Sequence, residues 1–163
     1  MSAAVLSIGS NLGDRRAALQ SAVDALRPWL VAVSAVYETP PWGPVEQDDY
    51  LNAVIIVDDA TASPRDWLDR AHRAEAGAGR TRDVRWGPRT LDVDVIDVDG
   101  LTSDEPSLVL PHPRASERAF VLVPLLQLRP DAHLAGRPVA ALLADLPPGD
   151  VTGVQVRPDQ AIG

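Results

Sequence analysis

Apolar positions along the chain change period several times, and each change predicts an element. The run AAVLSI at 3–8 ends at Gly9 and is followed by Ser10, Asn11, Gly13 and Asp14, a strand leading into turn and helix-cap residues. Leu19, Ala22, Val23 and Leu26 recur at helical spacing, and Pro28 disfavours helix at the residue before it, so a helix is expected from Asp14 to Arg27. Val31, Val33, Ala35 and Tyr37 alternate with Ala32, Ser34 and Val36 as one further strand. Asn52 to Val57 is apolar on both faces, a buried strand. Ser63, Pro64 and Asp66 then supply an N-cap, a first-turn proline and an acidic third position for a helix running to about Gly77, with Trp67, Leu68, Ala71 and Ala74 inward.

From Thr90 to Val98 the pattern alternates again, but with carboxylates: Asp92 and Asp94 share one face and Val93 and Val95 the other. Leu108–Leu110 is a short strand, Pro111 and Pro113 bracket His112, and an apolar helix follows from about Arg118 to Leu128. Beyond Pro130 a short helix at Val139 to Asp145 and a last strand at Val154 to Val156 are expected. The order β-α-β-β-α-β with a further helical region is that of an α+β, ferredoxin-like sandwich, with helices on one face and one domain over 1–163.

Composition narrows the chemistry. The chain has no cysteine, which removes disulfides, thiolate catalysis and cysteine-held zinc, and its three histidines have no zinc-binding spacing. No run approaches a membrane span, and the first ten residues lack the features of a signal peptide, so a cytoplasmic protein without a membrane partner is expected. A net charge of -8 with one Phe and two Tyr argues against nucleic acid. All 15 basic residues are arginine, so neither the P-loop lysine nor the protein-kinase lysine is present.

Against that acidic background, Arg80, Arg82, Arg85 and Arg89 fall within ten residues, opposed only by Asp83, and lead directly into the strand of Asp92 and Asp94. Paired carboxylates suit magnesium, which takes one or two of them and completes its octahedron with water and phosphate oxygens. The arginines would meet phosphate bidentately. A solvated edge strand after a basic loop remains the competing reading. The loop from Glu38 to Asn52, with three prolines, offers Trp42 and Tyr50 near the amide of Asn52, a set suited to a planar heteroaromatic ring or to an ordinary connector. SIGSNLGD at 7–14 has too few glycines and no lysine for a phosphate loop and reads as structural. His72 and Glu75, three apart, share the end of the second helix that enters the basic loop.

Four separated blocks carry a resemblance: SIGSNLGD at 7–14, YETPPWGPVEQDDYLNA at 37–53, GRTRDVRWGPRTLDVDV at 79–95 and LPHPRASERAF at 110–120. Together they resemble the 6-hydroxymethyl-7,8-dihydropterin pyrophosphokinases of folate biosynthesis over nearly the whole chain. The resemblance implies a ferredoxin-like fold and transfer of pyrophosphate from ATP to the pterin hydroxymethyl group, with release of AMP. It implies that Asp92 and Asp94 bind two magnesium ions, and that Arg80, Arg89 and Trp86 act from a closing loop. It places Thr39, Pro41, Trp42, Tyr50, Asn52 and Phe120 at the pterin, and His72, Glu75, Arg82, His112 and Arg118 along the nucleotide. His72, Ser107 and Pro113 depart from the familiar pattern on the ATP side, where glutamine, a basic residue and an aromatic are usual. A monomer is expected. Two other classes stay open from the residues alone: a ferredoxin-like domain that binds a small molecule without chemistry, and a magnesium-dependent phosphohydrolase using the two aspartates.

Overall fold

A computed structural model describes residues 2–41, 46–78 and 90–163. In chain order the elements are β1 (Ala3–Ser10), α1 (Arg15–Leu26), β2 (Leu30–Val33), β3 (Tyr37–Thr39), β4 (Tyr50–Asp58), α2 (Pro64–Gly77) and β5 (Asp92–Val98). There follow β6 (Ser103–Glu105), β7 (Leu108–Leu110), α3 (Ala119–Leu128), β8 (His133–Leu134), β9 (Arg137–Pro138), α4 (Val139–Ala144), α5 (Pro148–Thr152) and β10 (Gln155–Val156). The helix starts are those the sequence dictates. Asp14 accepts from the Ala17 amide at the head of α1, and Ser63 and Asp66 form a reciprocal capping box on α2.

The main sheet runs β10-β3-β4-β1-β5, with β2 also paired to β4. β1 is central and antiparallel to both neighbours, which sets Gly9 opposite Asn52 on one side and Asp92 on the other, and Ser7 opposite Val54 and Asp94. Alternation then decides what each face carries. Leu6, Ile8, Leu51, Ile55, Val57, Val93 and Val95 pack with Leu19, Val23, Leu26, Trp67 and Ala71 into a core under α1 and α2. Val54 and Ile96 meet Val121, Leu122 and Leu125 of α3 and Val139 and Leu142 of α4 in a second core on the opposite face. The fold is the expected ferredoxin-like sandwich, with the correction that helices cover both faces, because the C-terminal region closes the face that α1 and α2 leave.

The single strand expected over 31–37 is two strands, β2 and β3. At Ser34 the side-chain hydroxyl accepts the Val54 amide at 2.9 Å, taking the place of a backbone carbonyl and interrupting the ladder. A bulge where Val5 and Leu6 of β1 face Asp97 and Val95 sends Ile96 to the α3 side, so Val95 and Val98 can both stay in the other core. No helix among the described residues is long and apolar enough to cross a membrane.

Candidate active site

The α3 face of the sheet is left open at the end where β1 finishes. There Ser7, Gly9, Asn52, Asp92 and Asp94 line a cavity, flanked by Thr39, Pro40 and Tyr50 and roofed by Arg118 and Phe120 at the start of α3. Register explains the convergence: Asn52, Gly9 and Asp92 form one row across three strands, and Asp94 and Ser7 stand beside each other in the next. Gly9 keeps the middle of that row empty. A Cβ there would lie 2.8 Å from Asn52 Oδ1 and 3.4 Å from Tyr50 Cδ1. The Asn52 amide is held from behind, where Nδ2 donates to Thr39 Oγ1 at 2.6 Å, so Oδ1 is the atom standing over Gly9. Both residues are buried.

Arg118 brings positive charge to this cavity. Burial lowers its pKa from the ordinary arginine value, with Arg114 acting in the same sense, while Asp94 and Asp92 oppose the shift. Its Nε is buried with no hydrogen-bond partner among the described residues, and its guanidinium carbon lies 5.6 Å from the centre of the Phe120 ring. Its unsatisfied donor can take an anionic group, whereas the two carboxylates beside it would repel one unless a cation stood between them.

A second cavity of about 310 Å³ adjoins the first along β5. Its walls are α2 through Leu68, His72 and Glu75, β5 through Val93 to Val95, the β6–β7 hairpin, and His112 with Pro113. Arg65 of α2 closes the far side by bonding Glu105 at 2.7 Å and Ser107 at 3.1 Å in the hairpin. Asp94 lines both cavities. Glu75 is buried, and its Oε2 accepts the Val93 amide at 2.9 Å, tying α2 to the strand of the aspartates.

His112 sits where its own amide donates to Ile96 O, at 2.8 Å, so its loop follows the edge of β5. Burial, then the charges of Arg118 and Arg114, push its pKa down to about 4. The ring is therefore neutral near pH 7, with Nδ1 accepting the Arg114 amide at 3.2 Å and the proton on Nε2. That leaves an uncharged donor at a cavity that also holds the carboxylates of Glu75 and Asp94.

The structure gathers most of the sequence candidates but redistributes some. Thr39, Tyr50, Asn52 and Phe120 share the first cavity with Asp92 and Asp94, and His72, Glu75 and His112 share the second with Asp94. Pro41 lines a neighbouring recess behind Thr39 and Phe120, and Pro40 takes its place in the first cavity. Arg118 lies in the first cavity rather than along the second. Arg80, Arg82, Arg89, Trp86 and Trp42 lie outside the described residues. Ser7 and Gly9 were missed, since the segment containing them reads as structural. Their signal was present, because a small polar residue and a bare glycine two apart in an apolar strand share a face.

Asp92 and Asp94 fit magnesium. They are half-buried hard-oxygen donors at alternate positions of a strand, both on the wall of one cavity. Among the described residues no group of three or more carboxylates or histidines is placed to cage an ion alone. That is the arrangement magnesium uses when substrate oxygens complete its shell.

Two adjoining cavities that meet at Asp94, one of them carrying a magnesium-competent carboxylate pair, are the arrangement of an enzyme that joins two substrates. The model of the 7,8-dihydro-6-hydroxymethylpterin-pyrophosphokinase family matches residues 5–130. Curated 2-amino-4-hydroxy-6-hydroxymethyldihydropteridine pyrophosphokinases align along almost the full chain. That of Mycobacterium tuberculosis is 50% identical over 169 residues, spanning 96% of this chain and 90% of that one. That of Mycobacterium leprae is 52% identical over 170 residues, spanning 96% and 89%. Methylorubrum extorquens supplies one at 43% identity over 159 residues, spanning 95% of this chain and all of that one. Among solved structures, wild-type HPPK-DHPS of Plasmodium falciparum superposes with a TM-score of 0.69 at 13% identity. This chain covers 43% of that one with 88% of its own length, and the likeness is one of fold. The chain belongs to the 7,8-dihydro-6-hydroxymethylpterin-pyrophosphokinase family. It is thus an enzyme that transfers pyrophosphate to the pterin hydroxymethyl group, in a family that works with magnesium and ATP.

Proposed function

We propose that the first cavity holds the pterin and the second the nucleotide, with transfer taking place across Asp94. The observation that supports this most is the shared wall, since Asp94 lines both cavities. Asn52 Oδ1, fixed by Thr39, accepts from the donor edge of the pterin, while Tyr50 and Phe120 flank the ring, with Pro41 and Trp42 completing the surround. The acceptor hydroxymethyl then lies towards Asp92, Asp94 and Arg118. Its oxygen bonds to the β-phosphorus of ATP as the bridge to the α-phosphorus breaks, giving the pterin diphosphate and AMP.

Asp92 and Asp94 would hold two magnesium ions, which neutralise polyphosphate charge. Arg118 shares that charge from the pterin side, and His112 donates from Nε2 on the nucleotide side, with His72, Glu75 and Arg82 along it. Arg80 and Arg89 assist transfer, and Trp86 closes over the filled site. Most of the catalysis is positioning and charge stabilisation, so a chain without cysteine or lysine suffices. We take residues 1–163 as one domain acting as a cytoplasmic monomer on two small molecules.

Chromatography of ATP with magnesium, with and without the pterin, tests this reading. AMP should form only when the pterin is present. ATP consumed without acceptor would favour a phosphohydrolase, and ATP left intact in both would favour a binding domain.

A further inference from the structure

The family match ends at residue 130, yet the chain returns to the site well after it. β10 pairs with β3, Gln155 opposite Glu38 and Val156 opposite Tyr37, and the Arg157 amide donates to Val36 O at 2.7 Å. β3 is three residues long and passes straight into Pro40 and Pro41, which have no amide proton to extend a ladder. It nonetheless carries Thr39, the residue that fixes the Asn52 amide. A strand this short, paired on one side only, would hold its side chains loosely.

A charge cluster sits on the same strand. Glu38 accepts from Arg15 of α1 at 2.8 Å through one carboxylate oxygen and from Arg157 at 2.9 Å through the other. Arg15 also donates to Asp49 O at 3.0 Å. It thereby joins the neighbours of Thr39 and Tyr50, which face each other across β3 and β4. Arg157 is itself held by Asp159 through two hydrogen bonds. Behind the wall, a recess between Pro40, Phe120 and Gly153 is closed by α5, and a Cβ on Gly153 would come within 3.7 Å of Pro40 Cδ.

We infer that the C-terminal segment from Gly149 to Arg157 is a positioning element for the acceptor substrate, setting the Thr39–Asn52 wall through β10 and the Glu38–Arg157 ion pair. This rests on the pterin assignment of the first cavity. Among the described residues none of the segment lines the second cavity, so its effect is expected on acceptor affinity and not on the transfer step.

The test is steady-state kinetics of the full chain carrying Arg157→Ala, Arg157→Lys, Glu38→Gln and the Glu38→Gln/Arg157→Ala pair, with Asn52→Ala alongside. Arg157→Ala should raise the pterin KM roughly fivefold, the scale of one half-exposed ion pair, and leave kcat and the ATP KM within about twofold. Arg157→Lys should restore part of the affinity. The double variant should be no worse than the weaker-binding single, because each single already removes the Glu38–Arg157 contact. A fall in kcat with the pterin KM unchanged would make the segment merely structural and overturn the inference. Should Arg157→Ala fail to fold, Arg157→Lys and Glu38→Gln decide by the same split. If Asn52→Ala leaves the pterin KM unchanged, the pterin assignment itself fails; if only the Arg157 and Glu38 variants leave it unchanged, the brace alone fails.

Discussion

Gly9 shapes the first cavity, the proposed pterin site, by what it lacks. Its nearest neighbour is the Asn52 oxygen, so Gly9→Ala must displace that amide or the strand beneath it. The expected result is a pterin Kd raised roughly tenfold or more, measured by calorimetric titration, together with a lowered melting temperature as Asn52 or β1 gives way. Asp92 and Asp94 are half-buried at the end of their strand and support the site more than the core. Replacing either with alanine should lower turnover by about 100-fold or more, while circular dichroism and thermal unfolding stay near those of the parent. His112 gives a pH signature. The unfolded chain takes its proton near 6.5, whereas the native ring resists to about 4. The native state thus binds fewer protons in that window, and this residue's stabilising contribution is full above pH 6.5 and lost as pH falls towards 4. Thermal unfolding from pH 7 to 4 should show a steeper loss in the parent than in His112→Gln.

At the scale of elements, α2 and β5 act together through Glu75. Its carboxylate is buried against the Val93 amide, one residue from each aspartate. Glu75→Ala leaves that amide unpaired and should cost about 1–3 kcal/mol of stability by denaturant unfolding, with activity falling too as β5 shifts. The elements themselves were legible wherever the signal was local. The caps of α1 and α2, and the alternation of β5, depend on residues within four of one another, and each stands where the sequence predicts it. The break between β2 and β3 was not legible, because it depends on the Ser34 hydroxyl reaching Val54 across the sheet. Gly9 and Ser7 carry a local signal, a shared strand face, but no local sign of what stands opposite them. Their meaning comes from Asn52, Asp92 and Asp94, their partners in register on β4 and β5.

Across the whole molecule, the two faces of the sheet divide the work. The α1 and α2 face holds the larger core, and the α3 face is cored at one end and opens into the site at the other. The α+β order could be read from the sequence, but a C-terminal region that closes the second face and returns to β3 is a consequence of long-range packing that periodicity does not carry. In the proposed reaction a pyrophosphoryl group crosses from the cavity of His112 to the cavity of Asn52 beside Asp94. The most direct measurement follows the two ends of ATP separately, using ATP labelled at the α- or the γ-phosphorus with magnesium and the pterin, in the parent protein and in Asp94→Ala. The γ-label should appear in the pterin product and the α-label in AMP, in equal amounts, and neither should move in the variant. Label from the γ-position released as inorganic phosphate or pyrophosphate, or transfer undiminished in Asp94→Ala, would contradict it.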